Sequence, residues 1–260
     1  MNIIVCIKQV PDTTEVRLDP VTGTLIRDGV PSIMNPDDKA GLEAALRIKD
    51  KYGAKVTVIS MGPPQADAIL RESYAMGADE AILVTDRAFG GSDTWATSSI
   101  IAAAIKTLPF DLIITGRQAI DGDTAQVGPQ IAEHLKLVNI SYAEGIEIEG
   151  DSIVVKRQYE DRYHMLKAKM PCLITALSEL NEPRYMTPGG IYDAYHKKEV
   201  KILTRADLEV DDANIGLKGS PTRVAKSFTK ELKGKGTVVQ LGNEESVDFL
   251  MESLRKKFVI

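Results

Sequence analysis

The stretch DLIITGRQAIDGDTAQVGPQIAEHL, residues 111–135, decides the fold. It opens on a short apolar run, DLIIT, with the length and character of a buried strand. It closes on a helix-like run, QIAEHL, with Pro129 just ahead of it. Proline suits the first turn of a helix and breaks its interior. Between the two runs lie about a dozen residues that include Gly116, Gly122, Asp121, Asp123, Gln118 and Gln126. That is long for a connection in a compact α/β unit, and connections of this length are usually functional.

The same unit recurs upstream. IIVCI (3–7), VTVIS (56–60) and AILVT (81–85) read as buried strands. Helix-period stretches separate them. In 37–52 the apolar face is Leu42, Ala45, Leu46, Ile48 and Tyr52; in 64–76 it is Ala66, Ile69 and Leu70; in 94–108 it is Trp95, Ile101, Ala102 and Ile105. This alternation predicts an α/β fold, a doubly wound and mainly parallel sheet with helices on both faces. Ligands of such sheets sit beyond the carboxyl ends of the strands. Residues 138–178 alternate in β fashion, and EGD at 149–151 marks a hairpin. Past Leu180 the chain reads as polar and irregular, as in YMTPGGIYDAYHKK and LEVDDANIGLKGSPT. A short strand, TVVQL (237–241), and an amphipathic helix near 244–258 end it, the helix striped with Val247, Leu250, Met251 and Leu254. Such a helix either docks on a partner chain or folds back on its own domain, and the pattern leaves both open.

The 260 residues are 43% apolar and 27% charged with a net charge of -5, which gives no general drive toward nucleic acid or anionic membrane. No apolar run reaches the length of a membrane span. MNIIVCIKQV reads as a buried first strand rather than a signal peptide. The two cysteines, Cys6 and Cys172, lie inside apolar runs without a CxxC pattern. That fits a reducing, cytoplasmic setting and two small buried hydrophobes. His134, His164 and His196 are scattered, so the sequence shows no catalytic constellation and points to cofactor binding instead.

Four strand ends are candidate ligand loops. In MNPDDKAG, Asn35 suits a helix N-cap, Pro36 the first helical position, and Asp37 and Asp38 the positive dipole end; capping alone accounts for all four. In SMGPP, Gly62 makes a sharp turn after a strand. In DRAFGGSDTWATSS, Gly90 and Gly91 precede Ser92, Asp93 and Thr94 at the start of a helix. Backbone N–H groups there, with the hydroxyls of Ser92, Thr94 and Thr97, would suit a pyrophosphate; simple capping by Ser92 or Asp93 is an equal alternative. The loop after residue 115 is the fourth. Its carboxylates and glutamines suit ribose hydroxyls and an adenine edge better than phosphate, and two aspartates without a histidine make a poor metal site.

The string VKRQYEDRYHMLKAKMPCLIT (155–175) followed by LNEPRY (180–185) resembles the signature of the electron-transfer flavoprotein β subunit. Arg157, Glu160, Asp161, Pro171, Leu173, Ile174 and Thr175 match it, while Arg162 and His164 depart from it. IIVCIKQVPD, GVPSIMNPDD, YAMGADEAILV and GRQAIDGDTAQVG extend the resemblance over nearly the whole chain. The resemblance implies a heterodimer with an α subunit that carries its own FAD. It implies a nucleotide site at four places: Cys6; Asn35, Pro36, Asp37 and Asp38; Met61; and Gly116, Arg117, Gln118, Ala119, Ile120, Asp121, Gly122, Asp123, Thr124, Ala125, Gln126 and Val127. Ordinary members hold AMP there.

GGSDTWAT (90–97) resembles the electron-bifurcating members, which bind a second FAD in place of AMP and also NADH. On that likeness Ser92, Asp93, Thr94 and Thr97 lie toward the flavin and its pyrophosphate, and Phe89, Gly90 and Gly91 leave room for NAD. Electrons would pass from NADH to the α-subunit FAD and an acyl-CoA dehydrogenase-type partner, and to ferredoxin or flavodoxin. NEPRYMTPGGIY resembles the family's partner-recognition loop. The expected division is 1–185 as the nucleotide-binding domain, hairpin region included, and 186–260 as recognition loop and C-terminal arm, whose helix docks on the α subunit.

Overall fold

In the computed structural model, which describes residues 1–12, 31–223, 225, 234, 236 and 238–260, the chain starts with β1 (Asn2–Cys6). A small antiparallel pair, β2 (Gln9–Pro11) and β3 (Ser32–Met34), leads into α1 (Pro36–Tyr52). Proline at its start, Asp37 and Asp38 in its first turn, Lys49 and Lys51 in its last, and a left-handed Gly53 just beyond are the signals that begin and end this helix. Then come β4 (Lys55–Met61), α2 (Asp67–Met76), β5 (Glu80–Val84), α3 (Thr94–Lys106), β6 (Leu112–Gly116) and α4 (Val127–Leu135). Three antiparallel strands follow, β7 (Val138–Glu149), β8 (Ser152–Tyr159) and β9 (Arg162–Lys169), before β10 (Cys172–Ala176). Beyond these lie α5 (Pro188–His196), β11 (Lys201–Leu203) and the single turn α6 (Gly216–Gly219).

Nine strands share one sheet in the order β11-β5-β4-β1-β6-β10-β7-β8-β9. The first seven are parallel, with β1 flanked in register by β4 (Ile3↔Val56) and β6 (Ile3↔Leu112). The antiparallel extension begins at the β7–β8 hairpin, where Glu149 faces Ser152 across the expected turn.

Strand alternation splits the core in two. Ile3 and Val5 point to one face and pack with Leu42 and Leu46 of α1 and Ile69 and Leu70 of α2. Ile4 and Cys6 point to the other and pack with Ile100, Ile101 and Ile105 of α3 and Ile131 of α4. Each such large aliphatic side chain contributes about 1.5–3 kcal/mol on burial. Helices therefore cover both faces, as the strand–helix alternation requires.

Five expectations need correction. Tyr52 and Trp95, placed on apolar helix faces by periodicity, are 44% and 41% exposed. Trp95 instead leans on the ring of His134, 4.7 Å away. YMTPGGIYDAYHKK is not irregular: Thr187 accepts a hydrogen bond from the Gly190 amide and caps α5. KIL (201–203), too short to register as a strand, pairs with β5 and extends the sheet. Residues 238–241 of TVVQL form no strand, and Thr237 lies outside the described residues.

The chain divides into two compact units, Met1–Ala225 and Lys226–Ile260. In the second, α7 (Asn243–Lys256) has Glu244 and Glu245 in its first turn and Arg255 and Lys256 in its last, a favourable match to the helix dipole. Val247, Leu250 and Met251 on its apolar stripe are exposed.

Candidate functional site

The direction of winding reverses at β1. The chain proceeds from β1 to β4 and β5 on one side, then crosses to β6 on the other. In a doubly wound sheet the crevice at such a reversal, beyond the carboxyl ends of the strands, is where ligands bind. Cys6 ends β1 and pairs with Ile59 and Thr115. Met61 ends β4, Gly116 ends β6, and Asn35 and Pro36 open α1. Burial pushes the Cys6 thiol up to about 12, with the nearby Asp38 charge adding to the rise, so it stays protonated.

Asp38 joins the two strands that flank the crevice. Its Oδ2 accepts from the Lys8 amide at 2.8 Å and its Oδ1 from the Gly116 amide at 2.9 Å. A Cβ on residue 116 would collide with Asp38 Oδ1 and lie 2.8 Å from the Asp38 backbone nitrogen, so only glycine lets the strand end come this close. Burial pushes the Asp38 carboxyl up to about 7 against the pull of those two amides. Asp37 also rises, mainly through burial; its Oδ2 lies 3.4 Å from Arg117 Nε, an ion pair without hydrogen-bond geometry.

Asn35 stands at the N-cap position of α1 yet makes no side-chain cap, contrary to the expectation. Its carboxamide is turned to the loop after β6 instead. Nδ2 donates to the Gln118 carbonyl at 2.8 Å and Oδ1 accepts from the Ile120 amide at 3.1 Å. One fully buried side chain thus satisfies two loop backbone groups.

The loop is braced both from just past β1 and from within. Lys8 Nζ reaches both Asp121 oxygens, at 2.6 and 2.8 Å. Gln118 Nε2 donates to Asp123 Oδ1 at 2.9 Å. The amides of Gly122 and Asp123 both turn back to the Ala119 carbonyl. Asp123 and Ala125 have φ of 48° and 52°, left-handed values that a non-glycine residue adopts only where surroundings hold it. Gly122 and Thr124 are exposed at the tip. Lys8 was not among the sequence candidates; its position two residues past the end of the first strand was the available signal.

The stretch after β5 is built differently. Asp93 caps α3, its Oδ1 accepting from the Ala96 amide at 3.0 Å, while its Oδ2 accepts from Thr222 through both amide and hydroxyl. Burial opposes its charge, but these bonds hold the carboxyl below its ordinary range. Ser92 Oγ donates to the Phe89 carbonyl and accepts from the Gly216 amide. Phe89 is buried in the core, and Leu217 packs against Gly91. The N-terminus of α3 therefore already holds a carboxylate of its own. The N-terminus of α4 does not: Gln126 stands at its N-cap without a side-chain cap, and its Oε1 accepts from Thr94 Oγ1 at 2.8 Å. Gly128, in the first turn, approaches Thr115 and Thr175 where a Cβ would not fit. Thr97 is half-buried one turn beyond Thr94.

Two cavities open elsewhere. One of about 350 Å³ lies between Met34, Pro36 and Pro183, and one of about 460 Å³ lies between α1 and β7. The first shares Pro36 with the start of α1 but is lined by none of the residues that end β1, β4 and β6, and the second lies farther along α1. No helix of the described residues is long and apolar enough to cross a membrane.

The fold and these loops define a doubly wound α/β domain with a crevice at its switch point. Residues 22–208 match the electron transfer flavoprotein domain. The chain is 58% identical over 260 residues to "Electron transfer flavoprotein subunit beta" of Clostridium acetobutylicum, with all of both chains covered. It is 52% identical over 263 residues to "Caffeyl-CoA reductase-Etf complex subunit CarD" of Acetobacterium woodii, and 49% over 269 residues to "Acryloyl-CoA reductase electron transfer subunit gamma" of Anaerotignum propionicum, again with all of each chain covered. The chain belongs to the electron transfer flavoprotein family, on its β-subunit side, and its role is in electron transfer.

Proposed function

We propose that the chain is the β subunit of an electron-bifurcating flavoprotein, paired with an FAD-carrying α subunit, with FAD in the switch-point crevice and NADH as electron donor. The observation that carries this reading is the uncapped α4 N-terminus beside the Thr94–Gln126 hydrogen bond. Uncapped first-turn amides at a strand end fit a pyrophosphate. The carboxylate already seated on α3 does not, so the phosphates belong at α4 rather than at GGSDT. When bound, FAD would supply the redox chemistry, taking a hydride from NADH and releasing electrons singly, one toward the α-subunit FAD and an acyl-CoA dehydrogenase-type partner, the other toward ferredoxin or flavodoxin.

The chain's own residues bind and orient. Asn35, Asp38 and Lys8 fix the loop of residues 116–127 over the adenosine half, with Gln118 and Asp123 at its polar edge. Thr94 and Thr97 face the flavin side. Asp93 acts by capping α3 and holding Thr222. Gly90 and Gly91 present exposed backbone toward NADH, supported from beneath by Phe89. The relatives named for caffeyl-CoA and acryloyl-CoA reductases support an acyl-CoA-linked partner, and the loop around Tyr185 is its contact.

A second reading, a non-bifurcating β subunit holding structural AMP, is favoured by the internal pairing of Asp121 with Lys8 and of Asp123 with Gln118, which makes the adenosine end self-contained. Flavin and AMP counted in the purified αβ complex separate the two. Two FAD without AMP, and flavin bleaching by NADH alone, are expected; one FAD with AMP sinks the bifurcating reading.

A further inference from the structure

Glu43 is not part of the crevice, lying about a turn and a half along α1 from Asp38, yet it is a carboxylate only 3% exposed and held by four hydrogen bonds. Arg184 supplies three of them: its backbone amide at 3.1 Å and Nε at 2.8 Å to Oε2, and Nη2 at 3.2 Å to Oε1. Arg47 Nε supplies the fourth at 2.9 Å, and Arg47 Nη2 also donates to the Glu182 carbonyl. Arg184 Nη2 reaches Asp50 Oδ2 at 2.7 Å as well. Glu43, Arg47 and Asp50 lie at helical spacing on one face of α1. Together they grip the main chain and the side chain of residues 182–184. Burial alone would push the Glu43 carboxyl up, but the Arg184 and Arg47 bonds outweigh it and hold the group charged.

The grip has an abrupt outer limit. The next residue, Tyr185, is 93% exposed, and Met186, Tyr192 and Tyr195 are exposed beside it. On the far side α5 is pinned to α2: Arg71 donates to the Ala194 carbonyl, and a Cβ on Gly190 would lie 2.5 Å from the Ala75 carbonyl oxygen. A short aromatic tip is thus stretched between two fixed ends. Tyrosine and methionine are enriched at protein interfaces, and fixing a contact loop in advance removes the ordering cost of docking.

We propose that Glu43 is a positioning residue for partner docking, the buried staple that presents Tyr185 and Met186 to the acyl-CoA dehydrogenase-type partner. This rests on the reading of that loop as the partner contact given above. The test uses the intact αβ complex and the caffeyl-CoA reductase of Acetobacterium woodii as the probe, with Kd measured by interferometry. Reoxidation of the reduced flavin by ferricyanide, which needs no docking, and the thermal midpoint are read in parallel.

Glu43→Ala is expected to weaken binding about tenfold or more, with ferricyanide reoxidation within twofold of the unaltered complex. Glu43→Gln keeps one acceptor for Arg184 and is expected to recover part of the loss. If Glu43→Ala does not fold, Arg184→Lys, which keeps the charge but loses the forked contact, is expected to raise Kd severalfold. Tyr185→Ala separates the two ideas. If it leaves Kd unchanged, or if the unaltered complex shows no saturable binding, the partner reading of the loop fails. If Tyr185→Ala weakens binding but the Glu43 and Arg184 variants do not, the staple is refuted while that reading stands. Parallel loss of binding and ferricyanide reoxidation would also overturn it, marking Glu43 as a fold residue only.

Discussion

Asp38→Asn tests how the crevice is held. The Asp38 carboxylate accepts from one amide on each flank, Lys8 and Gly116, while it is almost wholly buried. Two opposed effects meet there. The amides favour the charged form, and desolvation disfavours it. The carboxyl rises from 3.8 to about 7, so desolvation wins. That rise corresponds to roughly 4 kcal/mol between the two protonation states. Because the folded-state value lies above the unfolded one, the protonated group's contribution is complete below pH ~4 and is lost as pH rises toward about 7. Asparagine cannot titrate, and it keeps one acceptor while leaving one buried amide unpaired, a cost of about 1–3 kcal/mol. Asp37 is present in both proteins, so its own titration largely cancels. Urea unfolding of both proteins at intervals from pH 4 to pH 8 is the assay. The unaltered protein should lose stability relative to the variant across pH ~4–7, by an amount on the order of 4 kcal/mol, and the difference should then level off. A difference that stays flat or grows in favour of the unaltered protein would mean that the two amides dominate, and would refute the reasoning.

Three further outcomes follow from the same geometry. Gly116→Ala places a Cβ against Asp38 side chain and backbone; it should cost about 1–3 kcal/mol in urea unfolding from overpacking and weaken nucleotide retention on gel filtration. A double-mutant cycle on Lys8→Met and Asp121→Asn should give a coupling of no more than about 1 kcal/mol by thermal unfolding, because Lys8 is 45% exposed; a larger value would show the loop to be more rigid than this pair implies. Asp93→Ala should cost about 1 kcal/mol through the lost α3 cap, and by freeing Thr222 it should increase proteolysis near residue 222.

The parallel half of the sheet was legible because each buried strand is a short apolar run and each helix carries a 3.6-residue stripe. The reading failed where solvent and partners compete. Tyr52 and Trp95 fit the stripe by spacing, yet each lies at the margin of its helix face and stays partly in solvent. KIL pairs only three residues, too few for a period to appear. The candidate loops were found from glycine and length, which report close backbone approach. What sequence could not show was which polar group faces which. Asn35 and Asp93 are both good capping residues, but only Asp93 caps its helix, and Asn35 spends its amide on a loop more than eighty positions away. Lys8 had only its place past the first strand to mark it and Glu43 only its i,i+4 neighbour Arg47, because Asp121 and Arg184, the partners that give them their roles, lie over a hundred residues along the chain.

Edge strand β11 also bears on how the protein is made. It pairs with β5 only after Leu203 has been synthesised, more than a hundred residues behind Val84. Throughout that interval the growing chain carries an apolar strand, Glu80–Val84, with one unpaired side. Unpaired edges of this kind template association with other chains, and parallel pairings of long sequence separation form slowly. During translation β5 is therefore open to aggregation, and chains that stop short of residue 203 should be recovered in the insoluble fraction even though every residue of the crevice has already been made.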